Sequence, residues 1–228
     1  MRIILSDIPK YCLTCEGEDG SKRKHMEDII QPEFVMPIIG IQKNKSGATG
    51  FFRMVERGLK AQLRGEPFRP FLMLEDDISF SIDSSNLGVD VPDDADLLYV
   101  GLSNCSMNGY MFHYSNYYQG VEGFPDVVRV KHMLATHGIL VCSALGASVL
   151  QRTMLEVYLS DKAWDIPLAY IQPFYNVYAL RKPWVYQDSV YGGDEACTRI
   201  TLEGDDRELP KEWLSRDHVT ISMQESLT

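Results

Sequence analysis

Nothing in this sequence is long and apolar enough to span a membrane, since no stretch approaches roughly 18 consecutive apolar residues. An excess of positive charge is missing too. Lys and Arg number 22 against 32 Asp and Glu, a formal net charge of −10. That argues against a nucleic-acid binder, which carries a basic patch or stripe. Histidine is scarce: there are five, with no His-x-His or Asp-x-His pair. Two-metal hydrolases gather several such ligands, so a metal-dependent phosphoesterase or nuclease stands only as an alternative. The opening run Met1-Arg2-Ile3-Ile4-Leu5-Ser6-Asp7 is too short for a secretory signal and lacks a small-residue cleavage site. Cysteine is odd in number (Cys12, Cys15, Cys105, Cys142 and Cys197), which fits a reducing compartment, so a cytoplasmic location is expected. Cys12 and Cys15 form a Cys-x-x-Cys pair, but no second pair follows at zinc-site spacing, and a structural or incidental role is expected. Repeats and low-complexity segments are absent.

What is present is an ordinary globular composition, 45% hydrophobic over 228 residues. Arg2 to Ser6 reads as a first strand, Ser21 to Ile30 as a helix, Phe34 to Ile41 as a second strand, and Gln42 to Gly50 as a loop. From Thr49, Phe51, Phe52, Val55, Leu59 and Leu63 recur at helical steps until Gly65 and Pro67. Phe71 to Leu74 is a short continuous apolar run, as in a strand buried on both faces of a parallel sheet. Leu97 to Gly101 repeats that character. Val127 to Val130, Ile139 to Cys142 and Trp184 to Gln187 are further strand candidates. Ala144 to Leu159 reads as a helix with Leu145, Val149 and Leu155 on one side. This alternation predicts an α/β domain with a mostly parallel central sheet over residues 1–200. Residues 201–228 read as an acidic, loosely packed tail.

The chemistry sits where the apolar run Phe71-Leu72-Met73-Leu74 ends in Glu75-Asp76-Asp77. Adjacent carboxylates repel one another, and burial raises their pKa values. A bound Mn²⁺ or Mg²⁺ relieves both problems, because hard cations take carboxylate oxygens. Ligands of α/β sheets also collect at the carboxyl ends of strands. Side-chain alternation sends Glu75 and Asp77 to one side and Asp76 to the other. Asp77 and Glu75 are therefore the expected metal ligands, with Asp76 turned toward a sugar or a backbone amide. The bland alternative is a solvated acidic turn, like Asp93-Asp94.

Leu74-Glu75-Asp76-Asp77 resembles the Leu-Glu-Asp-Asp motif of glycosyltransferase family 25, the lipooligosaccharide and procollagen galactosyltransferases of GT-A fold. Other pieces resemble that family in order. They are Gly47-Ala48-Thr49-Gly50, Leu98-Tyr99-Val100-Gly101, and Thr136-His137-Gly138-Ile139-Leu140-Val141 with the small-residue helix Gly146-Ala147-Ser148-Val149-Leu150. Asp165 and the closing Pro183-Trp184-Val185-Tyr186-Gln187-Asp188-Ser189 complete the series. The chain is also similar in size and style to the GT-A glycosyltransferase domains of large algal DNA viruses, which would place its action in a host cytoplasm. Two departures stand out. The family's Ser-His pair falls at Met54-Val55, and its Pro-Val before the aspartate falls at Ala163-Trp164.

The resemblance implies a GT-A-like, Rossmann-type nucleotide-sugar-binding domain with a divalent metal, Mn²⁺ or Mg²⁺, on the donor diphosphate. The donor is a nucleotide sugar, with UDP-sugar favoured, and the acceptor a glycan or glycoprotein; neither nucleic acid nor a membrane span is expected. The loop from Ser6 to Lys10 would hold base and ribose. Lys45 and Arg53 would reach phosphate around Gly47 and Gly50, whose turn presents amide groups to an anion. The family inverts the anomeric centre, so a base must take the acceptor proton, and a carboxylate near that hydroxyl is sufficient. Asp165 is the candidate base and Asp76 the second catalytic candidate; Asp165 also reads as a cap for a short helix through Ile166-Pro167-Leu168. His137, Gln187 and Asp188 would line the donor pocket. Tyr110, Phe112, His113, Tyr114, Tyr117 and Tyr118 would offer the acceptor a stacking surface or simply pack down on the domain. A catalytically inert sugar-binding module of the same fold is the remaining alternative.

Overall fold

The computed structural model describes residues 1–15, 20–37, 43–63, 65–84, 87–103, 117–199 and 202. Its strands are β1 (Arg2–Ile4), β2 (Lys10–Thr14), β3 (Phe34–Pro37), β4 (Phe71–Glu75), β5 (Ile78–Phe80), β6 (Gly88–Asp90), β7 (Leu97–Tyr99), β8 (Tyr117–Val121), β9 (Phe124–Lys131), β10 (Gly138–Val141), β11 (Val177–Leu180) and β12 (Val185–Gln187). The helices are α1 (Ser21–Ile30), α2 (Lys43–Lys60), α3 (Ala144–Ser160), α4 (Asp165–Ile171) and α5 (Glu195–Thr198). No helix among the described residues is long and apolar enough to cross a membrane.

The fold is mixed α/β. Eight strands form one sheet in the order β3-β2-β4-β10-β7-β11-β9-β8. Three neighbouring pairs are parallel, β2 with β3, β2 with β4 and β11 with β7. The other four are antiparallel. The expected mostly parallel sheet is therefore corrected to a mixed one. Strand β10 runs against both β4 and β7, and hydrophobicity cannot reveal that: an interior strand is apolar on both faces whichever way its neighbours point. Two small sheets, β1 with β6 and β12 with β5, stand apart.

Each face of the large sheet carries its own core. Alternation along β4 sends Phe71 and Met73 to the face covered by α2, α3 and α4, where Phe51, Met54, Leu150, Met154 and Leu168 pack. Leu72 and Leu74 go to the opposite face, beneath Met26 and Ile30 of α1 and Ile3, Val89 and Trp184. All four β4 side chains are buried, as the continuous apolar run predicts.

Two helices differ from expectation. Helix α2 begins at Lys43, so Lys45, Gly47 and Gly50 lie inside it and not in a loop. A β-carbon at Gly47 would sit 1.9 Å from the Trp164 ring, and one at Gly50 would sit 2.3 Å from Leu13 Cδ1. These glycines let α2 approach its neighbours, which offsets the roughly 1 kcal/mol each costs in a helix. On α3 the buried stripe runs through Gly146, Val149, Leu150, Thr153, Met154 and Val157, while Leu145 and Leu155 are exposed. Only Val149 of the three expected core positions is buried. The stripe is fixed by Gly146, where a β-carbon would lie 2.2 Å from the Asp96 carbonyl oxygen.

Of the expected aromatic loop, Tyr110, Phe112, His113 and Tyr114 lie outside the described residues, and the backbones of Tyr117 and Tyr118 belong to β8. Of the expected tail, 201–228, only Leu202 is described; it is buried in the core, its amide donating to the Arg181 carbonyl at 2.8 Å.

Candidate carboxylate site at the end of β4

Glu75 is the last residue of β4, and the chain turns at Asp76 and Asp77 into β5. Strand β2 runs parallel on one side, with Leu13 opposite Glu75. On the other side β10 runs antiparallel, and the Glu75 amide donates to the His137 carbonyl just before it (3.3 Å). Segments distant in sequence thus converge on three consecutive acids.

The three do not share one environment. Asp76 turns toward β2 and α1. Its Oδ2 accepts the Thr14 hydroxyl at 2.7 Å and the Cys15 amide at 3.0 Å, and its Oδ1 lies 3.8 Å from Lys22 Nζ. Buried and bonded in this way, Asp76 ties β2, β4 and α1 together, and of its two expected contacts it makes the one to a backbone amide. Its carboxylate is engaged by those partners, on the side away from Glu75 and Asp77.

Glu75 and Asp77 face the other way and face each other. The Gln187 side-chain nitrogen lies 3.4 Å from Glu75 Oε2 and 3.3 Å from Asp77 Oδ2, one amide shared by two carboxylates. The Thr136 hydroxyl donates to Glu75 Oε1 at 2.5 Å, and the Trp164 indole N–H donates to that hydroxyl at 3.0 Å. Asp77 Oδ1 is buried without a partner. Burial, reinforced by the neighbouring Asp77 charge, pushes the Glu75 carboxyl up to about 8. Burial and the Asp76 charge push Asp77 up to about 6, while Lys22 and Gln187 pull the other way.

Asp165 opens α4, and it too is raised by burial, against hydrogen bonds from its own amide and that of Ile166. Its charge is among the influences that raise Glu75, so the two share one electrostatic neighbourhood. The cap position of α4 falls on Trp164, with no side-chain capping bond, so Asp165 is an acid of the first turn and not the expected N-cap.

His137 is buried, and burial lowers its pKa to about 4, which makes the imidazole neutral near pH 7. Its ring fills the space over Gly101, where a β-carbon would lie 2.0 Å from Nε2, and that nitrogen is a buried atom without a partner. Asp188 reaches the site through its backbone, its amide donating to the Asp77 carbonyl at 2.6 Å. Its carboxylate instead accepts from Ser79 Oγ (2.7 Å) and the Val190 amide (2.9 Å), and the Ser79 bond is the main cause of its lowered pKa.

The other expected donor contacts lie elsewhere. Ser6 is exposed in a helical turn following β1 and bonds Asp7. It sits at the Lys10 end of β2, whereas the acids stand at the Thr14 end. The first strand belongs to a small sheet with β6 and not to the large one. Arg53 lines a groove between α2 and α3 beside Leu155 and Tyr158, and Lys45 and Gly47 are helical. The cation that meets the acids is Lys22, which pattern reading passed over because a basic first turn on α1 carries no motif.

Among the described residues, no group of three or more His, Cys, Asp or Glu side chains is arranged to hold a metal. Two carboxylates are, however, brought together. Raised pKa values, a shared amide and an unpartnered Asp77 oxygen mark a place short of positive charge. An oxygen-only donor pair of this kind suits a hard divalent cation, with further positions supplied by water or ligand oxygens. No protein-family model matches this chain, and a comparison with curated proteins gives no match.

Proposed function

We propose that this protein is a glycosyltransferase of GT-A type. It would move a sugar from a nucleotide diphosphate donor, UDP-sugar favoured, to a hydroxyl of a glycan or glycoprotein with inversion. The observation that carries the reading is the Glu75–Asp77 pair at the carboxyl end of an interior strand, charge-deficient and joined by Gln187. Strand ends of this kind are where α/β sheets place ligands. The ordered resemblance to family 25 between Arg2 and Ser189 supports the same reading.

In this scheme Glu75 and Asp77 would hold Mn²⁺ or Mg²⁺, and a bound ion would supply positive charge toward the leaving diphosphate. Gln187 and the Thr136 hydroxyl keep the two carboxylates in place. The acceptor oxygen forms its bond to the anomeric carbon as the bond to the diphosphate oxygen breaks, and Asp165 takes the acceptor proton. A carboxylate raised by burial is a stronger base than one in water, which suits that task. Lys22, beside Asp76, would offset donor charge in a chain of net charge −10.

The test compares the unsubstituted chain with Asp77→Ala in Mn²⁺-dependent hydrolysis of UDP-sugars, with transfer measured on glycan acceptors. Loss of turnover on the order of 100-fold or more with the fold retained is expected, as for loss of a metal ligand. Equal turnover in the two proteins would overturn the assignment. Phosphodiester cleavage without sugar transfer would favour the phosphoesterase alternative.

A further inference from the structure

Trp164 stands where the family pattern has a valine, and the donor function left it without a role. Its indole N–H can only donate, and it donates to the Thr136 hydroxyl. That hydroxyl has one hydrogen, and with a lone pair taken by the indole it delivers the hydrogen to Glu75 Oε1. The direction of the chain is therefore set from the tryptophan end.

The tryptophan itself is held. Its ring occupies the space that a β-carbon on Gly47 would fill, and it lies tilted against Phe51 with centroids 5.9 Å apart. A line of contacts thus runs from Gly47 in α2 through Trp164 and Thr136 to Glu75. With Oε1 engaged, Oε2 remains on the side of Gln187 and Asp77. Hydrogen bonds that orient a ligand carboxylate reduce what must be ordered when an ion binds, and losing one costs about 10- to 100-fold in affinity.

We propose that Trp164 is a positioning residue for cation binding, acting through Thr136 on Glu75; this rests on the cation site proposed above. Gly47 acquires a role in the same arrangement: it seats the indole.

The test is calorimetric Mn²⁺ titration of the full chain, unsubstituted and as Trp164→Phe, Thr136→Val, the double variant and Thr136→Ser. Phe keeps an aromatic ring against Gly47 and Val keeps the shape of Thr, so the far-ultraviolet circular dichroism and a cooperative thermal melt should be retained. Should Trp164→Phe lose them, the Thr136→Val and Thr136→Ser pair decides. Each of Trp164→Phe and Thr136→Val is expected to weaken Mn²⁺ binding on the order of 10-fold. The double variant should be no weaker than Thr136→Val, because both changes cut one chain. Thr136→Ser, which keeps the hydroxyl, should bind within about 2-fold of the unsubstituted protein, within the scatter expected of a retained bond. Unchanged binding in Trp164→Phe and Thr136→Val overturns the positioning role and leaves the cation site standing, as do losses that simply add. No Mn²⁺ binding by the unsubstituted chain overturns the cation site, and the positioning role with it.

Discussion

Two acidic clusters in this chain look alike as letters and differ as chemistry. The first, Glu75-Asp76-Asp77, closes β4; the second, Asp93-Asp94-Ala95-Asp96, leads into β7. In the second cluster each acid has an outlet. Asp93 is exposed and paired with the N-terminal ammonium at 2.5 Å. Asp94 accepts the Tyr178 hydroxyl at 3.2 Å. Asp96 is buried and accepts from Ser143 Oγ at 2.7 Å and the Asn176 amide at 3.1 Å. In the first cluster Asp76 is served as fully, and Glu75 accepts the Thr136 hydroxyl. Glu75 and Asp77 share one amide, and Asp77 keeps a buried oxygen with no donor. An acidic run becomes a candidate site when the fold withholds donors from it, and the number of acids does not decide the matter.

That contrast predicts opposite responses to losing a charge. Asp96→Ala should destabilise by about 3 kcal/mol, since it removes two hydrogen bonds to a buried carboxylate worth about 1.5–3 kcal/mol each. It also frees Ser143, which caps α3 by accepting the Gly146 amide at 2.9 Å. Asp77→Asn removes a charge that its neighbours oppose, and in chelator at pH 8 it should stabilise by about 1 kcal/mol. Urea melts of the two variants read this directly. Destabilisation of the same size in both would erase the distinction between the clusters.

A divalent ion and pH sharpen the comparison next. The folded protein holds Glu75 at about 8 and Asp77 at about 6, above their ordinary values of 4.5 and 3.8. Between those limits the folded chain binds more protons than the unfolded one, so this pair's contribution to stability is greatest below about pH 4 and is lost as pH rises to about 8. An ion that binds the ionised pair reverses that loss. At 100 times its dissociation constant Mn²⁺ adds about 2.7 kcal/mol. The thermal shift with Mn²⁺ should therefore be larger at pH 8 than at pH 5 and missing in Asp77→Asn. A shift independent of pH, or retained in that variant, would place the ion elsewhere.

The backbone of this arrangement was legible in sequence because local rules govern it. The apolar run through Phe71 to Leu74 marked β4, the spacing of Met26, Ile29 and Ile30 marked α1 over its observed span, and period 2 separated Asp76 from its neighbours. What the sequence hid depends on pairing at long range. Strand direction was invisible in β10, since a doubly buried strand is apolar in either sense. The donors that split the two clusters come from Thr14, Lys22, Thr136, Ser143, Asn176 and Gln187, far along the chain from the acids they serve. Glycine misled for a related reason. Gly47 and Gly50 read as a phosphate-cradling turn, because sequence does not show that Trp164 and Leu13 arrive where their side chains would be.

The smallest expected effect tests the bland end of the comparison. The Asp93 side chain is 92% exposed, and its partner is a terminal ammonium that also donates to the Val91 carbonyl. Solvent screens such a pair, and the ammonium keeps its carbonyl when the carboxylate is removed. Asp93→Ala should then change stability by less than about 0.5 kcal/mol, with no dependence on Mn²⁺. Salt should matter little as well, because the interaction that screening would weaken is already slight. A loss above about 1 kcal/mol in urea melts would mean that the terminal ammonium fastens β1 to the segment after β6 more firmly than an exposed pair can. The acidic turn before β7 would then cease to serve as the inert reference against which the triplet after β4 is read.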